Sequence, residues 1–162
     1  MPASGKLHRE EGYLQPPMDL RRASDGGKPL LVLMEMRQCP PCDELHQDMF
    51  RREPIRQSLG QFDVALVDVW SSDPLITPEG ERLSSTEWAA KLKVSYAPSM
   101  LFFDERGREV FRTEAYLRGF HTHAAMDYVL SGSYQEQPSF QRYVQARADE
   151  MEARGIHIDL ME

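Results

Sequence analysis

The feature that most constrains this chain is an apolar run followed at once by two cysteines and a helix start. The run Leu30–Met34 is continuous and apolar, which is typical of a central strand covered on both faces. The motif Cys39-Pro40-Pro41-Cys42 follows it. Proline fits the first positions of a helix, because its missing N–H has no intrahelical partner there. The sequence therefore predicts a buried strand, a C-x-x-C motif and a helix that begins within the motif.

Cys39 and Cys42 are the only cysteines in the chain. A secreted scaffold held by disulfides carries four or more, and a structural zinc site needs further Cys or His ligands at regular spacing. The pair therefore indicates a redox-active C-x-x-C motif. At a helix N-cap, unpaired N–H groups and the helix dipole lower the pKa of the Cys39 thiol below the free value of about 8.5. Cys39 is then the nucleophile, and Cys42, one turn inward and less exposed, resolves the mixed disulfide.

Two other uses of these cysteines stay open. One is Cu(I) binding, because sulfur ligands suit Cu(I) and Met34, Met36, Met49 and His46 lie near the cysteines in sequence. Against it, alternating methionines on a strand are more often part of a core, and His46 is expected to be solvated on an exposed helix face. The other is an inert disulfide in a binding module.

Length and charge narrow the classes of partner. A chain of 162 residues predicts one domain of ordinary size. Its formal net charge of −7 argues against nucleic acid or an anionic membrane as a partner, since both attract basic surfaces. No apolar stretch of about 18 residues occurs, and no signal-peptide segment follows Met1. We expect a soluble protein that needs no cofactor, and an exported protein without its signal peptide fits this sequence.

The chain around the motif predicts one parallel pair of strands. Residues 1–17 are expected to form an irregular arm over the surface, and residues 18–24 a short helix. The helix after the cysteines ends or restarts at Pro54. An apolar run at 62–69 predicts a second strand, which a helical crossover makes parallel to the first.

The second half of the chain predicts a loop, a hairpin and three helices. Residues 70–83 are predicted to form a loop. The spacing from Ser84 to Glu87 matches a capping box, which marks a helix start. The predicted elements are a helix over 85–92, a hairpin of strands 99–103 and 109–112, and helices near 120–131 and 138–154.

The chain resembles the thioredoxin superfamily over about residues 28–132. The resemblance is carried by the runs 30–33, 39–42, 64–69 and 94–103, which lead into the hairpin at Gly107. It implies an α/β thioredoxin fold, with a central mixed β-sheet flanked by helices. It also implies that a cis peptide bond precedes Pro98, which then faces the active-site disulfide. Ala97 and Pro98, together with Pro40 and Pro41, are the substrate-binding residues by this resemblance.

A closer resemblance is to the SoxW-type periplasmic thioredoxin-related proteins. It is carried by the segments 42–46, 87–92, 115–117, 128–134 and 140–143. It implies a periplasmic protein in which residues 28–132 form the thioredoxin-like domain. Residues 133–162 are then a C-terminal helical extension packed on the same domain, and residues 1–27 are the arm and short helix.

The sequence departs from cytoplasmic thioredoxins around the cysteines. Gln38 and Leu33 stand where those proteins have a tryptophan and a buried aspartate. Glu35 is the nearest acid able to take the proton of Cys42, or it is simply solvated or paired at the strand end. Gln47 replaces the proline that kinks the family's active-site helix, so a straighter helix is expected.

These observations predict a thiol:disulfide oxidoreductase, an enzyme that reduces disulfides in an exported protein partner, in the setting of sulfur oxidation. Cys39 attacks and Cys42 resolves. The resemblance also implies an upstream thiol reductant, such as a membrane electron-transfer protein, and a monomer is expected. The alternatives are a disulfide oxidase or isomerase, because the residues between the cysteines do not fix the redox potential, and a Cu(I) metallochaperone.

Other candidate residues carry weaker signals. His121 and His123 have the spacing of a metal pair on a strand, but they fall at a predicted helix start and are expected to be surface histidines. Trp88 is expected in the core, and Trp70 is either a core residue or part of a substrate groove.

Overall fold

The computed structural model describes residues 5–22 and 27–159. The strands of this part of the chain are β1 (Leu30–Glu35), β2 (Asp63–Asp68), β3 (Pro74–Ile76), β4 (Arg82–Ser84), β5 (Ser99–Phe103) and β6 (Glu109–Thr113). Its helices are α1 (Pro40–Gln47), α2 (Ile55–Leu59), α3 (Ser85–Lys91), α4 (Gly119–Leu130), α5 (Ser133–Glu136) and α6 (Phe140–Ala153). Within the described residues, no helix combines the length and apolar character needed to cross a membrane.

A four-stranded mixed sheet in the order β2–β1–β5–β6 forms the centre of the fold. Strand β1 pairs parallel with β2 and antiparallel with β5, and β5 pairs antiparallel with β6. The predicted parallel pair and the predicted hairpin are therefore confirmed. The predicted fold class, a mixed sheet flanked by helices with further helices at the C-terminal end, is confirmed as well.

The side chains of β1 alternate between two hydrophobic cores. Leu31 and Leu33 pack in the core that contains residues of α1, α2 and α4. Leu30, Val32 and Met34 pack in the opposite core, with residues of α3. All six residues of β1 are buried, so the continuous apolar run reflects a strand covered on both faces, as predicted.

The helix that follows the cysteines is interrupted. Helix α1 ends at Gln47 because Asp48 leaves the helical conformation, with φ −123° and ψ −69°. A 3₁₀ turn over Met49–Arg51 comes next, and α2 begins after Pro54. The predicted restart at Pro54 is confirmed, whereas the expectation of a straighter helix is wrong.

The short helix expected over residues 18–24 is wrong for residues 18–22, and residues 23 and 24 lie outside the described residues. Asp19 instead forms a parallel bridge with Ile76 of β3. Met18 and Leu20 are buried while Asp19 is exposed, which is the alternation of an extended segment. The loop predicted for residues 70–83 likewise contains the small antiparallel sheet of β3 and β4.

Aromatic rings join the C-terminal helices to the central sheet. Tyr128 of α4 lies between Phe111 of β6 and Phe140 of α6, with ring centroids 5.1 and 5.3 Å away. Tyr143 contacts the same tyrosine at 4.8 Å. The apolar positions along α6 therefore pack onto α4 and β6. The capping box of Ser84 and Glu87 at the start of α3 is also confirmed.

Candidate redox site

The two cysteines form a disulfide at the N-terminal end of α1. Cys39 is the N-cap residue, and its sulfur accepts a hydrogen bond of 3.2 Å from the backbone N–H of Cys42. Pro40 and Pro41 occupy the first two helical positions. The predicted junction of strand, C-x-x-C motif and helix is therefore present. It places the sulfur of Cys39 against the Cys42 N–H and the positive end of the helix dipole, which both stabilise a thiolate.

Both cysteines are buried in this oxidised structure. Cys39 exposes 2% of its surface and Cys42 exposes 1%, so the two differ less in exposure than the sequence led us to expect. Pro40 and Pro41 between them are exposed. The exposed surface at this end of α1 therefore includes the proline pair and not the cysteine sulfurs.

Gln38 and the N-terminal arm shape the approach to Cys39. Gln38 has φ of +56°, a left-handed conformation that glycine adopts more readily. Its side chain lies against Gly5, where a Cβ atom would come within 2.9 Å of Gln38 Nε2. The arm therefore passes beside the residue that precedes Cys39.

The sheet register brings the segment of Ala97 and Pro98 to the end of β1. Met34 pairs with Ser99, the first residue of β5, so Pro98 lies just beyond this pair, at the edge from which the chain continues to Cys39. The Ala97–Pro98 peptide bond is cis. Pro98 is buried, and the preceding Tyr96 exposes 64% of its surface.

Glu35 is buried at the end of β1 and paired with a histidine. It exposes 1% of its surface, and its Oε2 lies 2.6 Å from Nε2 of His46. Its other oxygen, Oε1, is buried and has no hydrogen-bond partner among the described residues. The Glu35 side chain is therefore not solvated, so that expectation is wrong, and the alternative that it is paired at the strand end is correct. The role of Glu35 as proton acceptor stays a prediction.

His46 was expected on an exposed helix face, and this expectation is wrong. It exposes 1% of its surface, because the N-terminal arm covers this side of α1. His8 from the arm stacks on the His46 ring, with centroids 4.7 Å apart and planes 10° from parallel. Phe50 contacts the same ring edge-on at 5.2 Å. The local sequence of α1 gives no sign of this cover, which comes from residues more than 30 positions away.

Polar contacts continue from His46 into the arm. Nδ1 of His46 lies 3.4 Å from the hydroxyl of Tyr13, and that hydroxyl donates a hydrogen bond of 3.2 Å to Glu10. Burial raises the pKa of the Tyr13 phenol well above its usual value, and the nearby charges of Glu10 and Glu35 raise it further. Tyr13 therefore keeps its proton, and its hydroxyl remains able to donate.

The methionines do not converge on the cysteines as a copper site requires. Met34 and Met49 are both buried, but they belong to the cores on opposite faces of the sheet. The sulfur of Met36 lies 3.2 Å from the indole nitrogen of Trp70. In residues 5–22 and 27–159, no three His, Cys, Asp or Glu side chains come together as a metal site needs. Met34, Met36 and Met49 thus lie in three different environments, namely the two opposite cores and the side of Trp70.

The remaining candidates lie outside the cysteine site. His121 and His123 are partly exposed at the start of α4, and His123 contacts Arg147 and Asp127. Burial lowers the pKa of His123. Trp88 is buried in the core, as expected, whereas Trp70 exposes 75% of its surface.

The sequence points to the cysteines, the prolines and Glu35 as candidates, and it places His46 near the cysteines, but it does not show that His46 pairs with Glu35. It also gives no sign of the arm residues around His46, which are His8, Glu10 and Tyr13. One signal was present, because His46 follows Cys42 by four residues and therefore lies one turn along the same helix face. The arm residues carried no such signal.

Comparison with known proteins supports the fold. A family model described as a thioredoxin-like domain matches residues 3–130. A thioredoxin-fold protein from Helicobacter pylori has a TM-score of 0.72 at 15% identity, covering 86% of this chain and 94% of that chain. A thioredoxin from Thermus thermophilus has a TM-score of 0.50 at 20% identity, covering 64% of this chain and 74% of that one. Curated protein sequences give no significant match. The thioredoxin fold implied by the sequence resemblance is thus confirmed.

Tyr13 should stay protonated where exposed tyrosines ionise, near pH ~10. The pKa of Tyr13 is higher in the folded than in the unfolded protein, so the protonated phenol contributes fully to stability at any pH below the unfolded-state pKa. This contribution is lost as the pH rises from the unfolded-state pKa toward the folded-state pKa. We expect Tyr13→Phe to leave the tyrosinate absorbance of the native protein unchanged up to pH ~11. An alkaline titration of both proteins measures this. A signal reduced by one tyrosine in the variant would contradict the assignment.

Proposed function

Because the chain belongs to the thioredoxin-like domain family, we propose that it is a thiol:disulfide oxidoreductase that reduces disulfides in an exported protein partner. One observation carries the proposal. Cys39 caps α1 and is bonded to Cys42, four residues after the end of β1, and Met34 of β1 pairs with Ser99, the residue after Pro98. A thiol at such a position is activated by the helix terminus, and its neighbour one turn inward can resolve the intermediate.

The reaction proceeds by two exchanges. The Cys39 thiolate attacks one sulfur of the substrate disulfide, so that a mixed disulfide forms and one substrate thiolate leaves. Cys42 then loses its proton and attacks the sulfur of Cys39, and the second substrate thiolate leaves. Two electrons pass from the protein dithiol to the substrate, whose thiolates take up protons. An upstream thiol reductant returns the Cys39–Cys42 disulfide to the dithiol.

Glu35 takes the proton of Cys42 in this scheme. Cys42 and His46 lie one turn apart on the same face of α1, and Glu35 reaches that face from the end of β1, as its contact with His46 shows. Its Oε1 is buried and unpartnered among the described residues, so it can accept a proton at no cost in existing hydrogen bonds. Burial also keeps water from competing for that proton.

The substrate is an extended peptide segment that carries the disulfide. The exposed Pro40 and Pro41 form one side of its path, and the backbone of Ala97 and Pro98 forms the other. Tyr96 is a large exposed apolar side chain directly before this segment. Exposed aromatic side chains of this kind favour contact with apolar residues beside the substrate cysteines.

The physiological setting is the periplasm, in a SoxW-type role in sulfur oxidation, with the protein acting as a monomer. The sequence segments shared with SoxW-type proteins support this assignment, and so does the absence of any cysteine beyond the redox pair. The partner is then a single exported sulfur-carrier protein, and the upstream reductant is a membrane electron-transfer protein.

Trapping should identify the partner. In Cys42→Ser the mixed disulfide on Cys39 cannot be resolved, so we expect one exported protein to accumulate in covalent complex with the variant. Non-reducing electrophoresis and mass spectrometry of the complex measure this. The matched control is Cys39→Ser, which lacks the nucleophile and should trap nothing. Capture of many unrelated proteins would contradict the sulfur-oxidation role while leaving general disulfide reduction intact.

The redox potential of the Cys39–Cys42 pair decides whether the protein reduces or oxidises its substrate. We expect equilibration with glutathione or dithiothreitol to place the Cys39–Cys42 pair near the thioredoxin value of about −270 mV. A value near −120 mV, as in strongly oxidising relatives, would overturn the reductase assignment in favour of an oxidase. A pair that turns over no disulfide substrate and binds Cu(I) tightly would support the metallochaperone instead.

Glu35→Gln should slow the resolution step by ~10²-fold, because loss of a general base costs at least this much. The initial attack by Cys39 should stay unchanged. Rapid-mixing kinetics with an aromatic disulfide separate the two steps, since each releases one coloured thiolate. Glu105→Gln, which makes the same change in an exposed hairpin turn, is the control. An unchanged resolution rate in Glu35→Gln would remove Glu35 from the mechanism.

A further inference from the structure

Building on the proposed function, we propose that the N-terminal arm completes a proton pathway from Cys42 to solvent. The pathway runs from Glu35 to His46 and on through Tyr13 to Glu10. Its first two members lie on the fold itself, at the end of β1 and on α1. Its last two members come from the arm. The arm then takes part in the redox reaction by transferring protons.

The contacts form a continuous chain. Glu35 Oε2 lies 2.6 Å from Nε2 of His46, and Nδ1 of the same ring lies 3.4 Å from the Tyr13 hydroxyl. That hydroxyl donates to Glu10 Oε2 at 3.2 Å. Side-chain exposure increases from the inner to the outer end of this series of contacts, because Glu35 and His46 each expose 1% of the side chain and Glu10 exposes 40%. The chain therefore leads from a buried carboxylate to one in contact with water.

Hydrogen-bond directions along the chain suit proton transfer. Because Tyr13 donates its hydroxyl proton to Glu10, its oxygen is free to accept one from Nδ1 of His46. The Glu35 carboxylate accepts from Nε2 on the other side. Both ring nitrogens of His46 thus face an oxygen acceptor, and a ring protonated on both nitrogens can donate to each of them.

The other side chains around His46 hold the ring in place. His8 stacks flat on the ring, and its own Nε2 lies 2.6 Å from Asp43, which belongs to α1. Phe50 closes the remaining side and carries no charge. The groups that face His46 are thus Glu35 from β1, and His8, Glu10 and Tyr13 from the arm, with Asp43 acting through His8.

Proton transfer balances at every step. The Cys42 thiol gives its proton to Oε1 of Glu35, which removes the negative partner of the His46 ring. His46 then releases its Nδ1 proton to the oxygen of Tyr13, while Tyr13 passes its own hydroxyl proton to Glu10. Glu10 returns that proton to solvent. One proton leaves Cys42 and one reaches solvent, and Cys42 is left as the thiolate that attacks Cys39.

Packing alone does not account for these residues. Buried polar groups are stable only when they are hydrogen-bonded, and apolar side chains of similar volume usually fill such a space equally well. The arm instead places a tyrosine hydroxyl and a carboxylate where they extend the Glu35–His46 pair outward. Proton transfer through Tyr13 and Glu10 gives this arrangement a function that packing does not.

The test measures resolution kinetics in variants that break the pathway in the arm. Reduced protein is mixed with an excess of a symmetrical aromatic disulfide, and the two released thiolates are followed as a fast attack phase and a resolution phase. Tyr13→Phe removes the hydroxyl and keeps the ring. Glu10→Gln removes the terminal acceptor. Glu11→Gln is the matched control, because it makes the same change at the exposed neighbouring residue.

We expect both pathway variants to slow resolution by about tenfold, less than the ~10²-fold loss of the base itself, with the attack phase unchanged. In Glu10→Gln, added imidazole buffer at fixed pH and ionic strength should restore the rate, because it can take the proton at the surface. Glu11→Gln should resolve at the wild-type rate, and added imidazole should leave the rate of both the wild-type protein and Glu11→Gln unchanged.

Two results would overturn the pathway. The first is an unchanged resolution rate in both Tyr13→Phe and Glu10→Gln. The second is a slowed rate in Glu10→Gln that imidazole does not restore, which would mean that the arm acts by packing. Either result leaves the proposed oxidoreductase intact, since both phases would still be seen. Failure of the oxidoreductase assignment would show instead as the absence of a resolution phase in the wild-type protein.

Discussion

The redox site depends on the pairing of β1 with a neighbour on each side. Hydrogen bonds to β2 and β5 fix this strand at the centre of the sheet, and apolar cores cover both of its faces. Its last residue, Glu35, therefore has a fixed position. The cysteines follow four residues later at the start of α1, and the antiparallel register with β5 brings Pro98 to the same edge. One buried strand thus positions the proposed nucleophile, the proposed base and the proline proposed to contact the substrate.

The buried pair of Glu35 and His46 is the second constraint on the site. Taking two ionisable groups out of water costs several kcal/mol per ion, and the cost is offset only by close contact and further hydrogen bonds. The structure supplies a 2.6 Å contact between the two and a covering arm that adds Tyr13 and the stacked ring of His8. Docking of the arm and the electrostatics of the cysteine site are therefore coupled.

Much of the fold could be predicted from local patterns. The apolar run of β1, the prolines of α1 and the capping box of α3 each depend on residues that are close in sequence. Local patterns do not distinguish a strand from a helix over residues 18–22, because the alternation of buried and exposed residues there covers too few positions. The extended conformation of this segment comes from pairing with β3, more than 50 residues away.

Local sequence patterns are enough to identify one C-x-x-C cysteine pair at a strand-to-helix junction, because spacing, proline positions and apolar periodicity are local properties. The surroundings of that pair depend on how distant segments of the chain pack together. His46 looked like a solvated helix residue until the arm was seen to cover it, and Glu35 had no known partner until β1 and α1 were seen in contact. Burial and hydrogen bonding between distant segments depend on how the chain packs, and no local pattern encodes them.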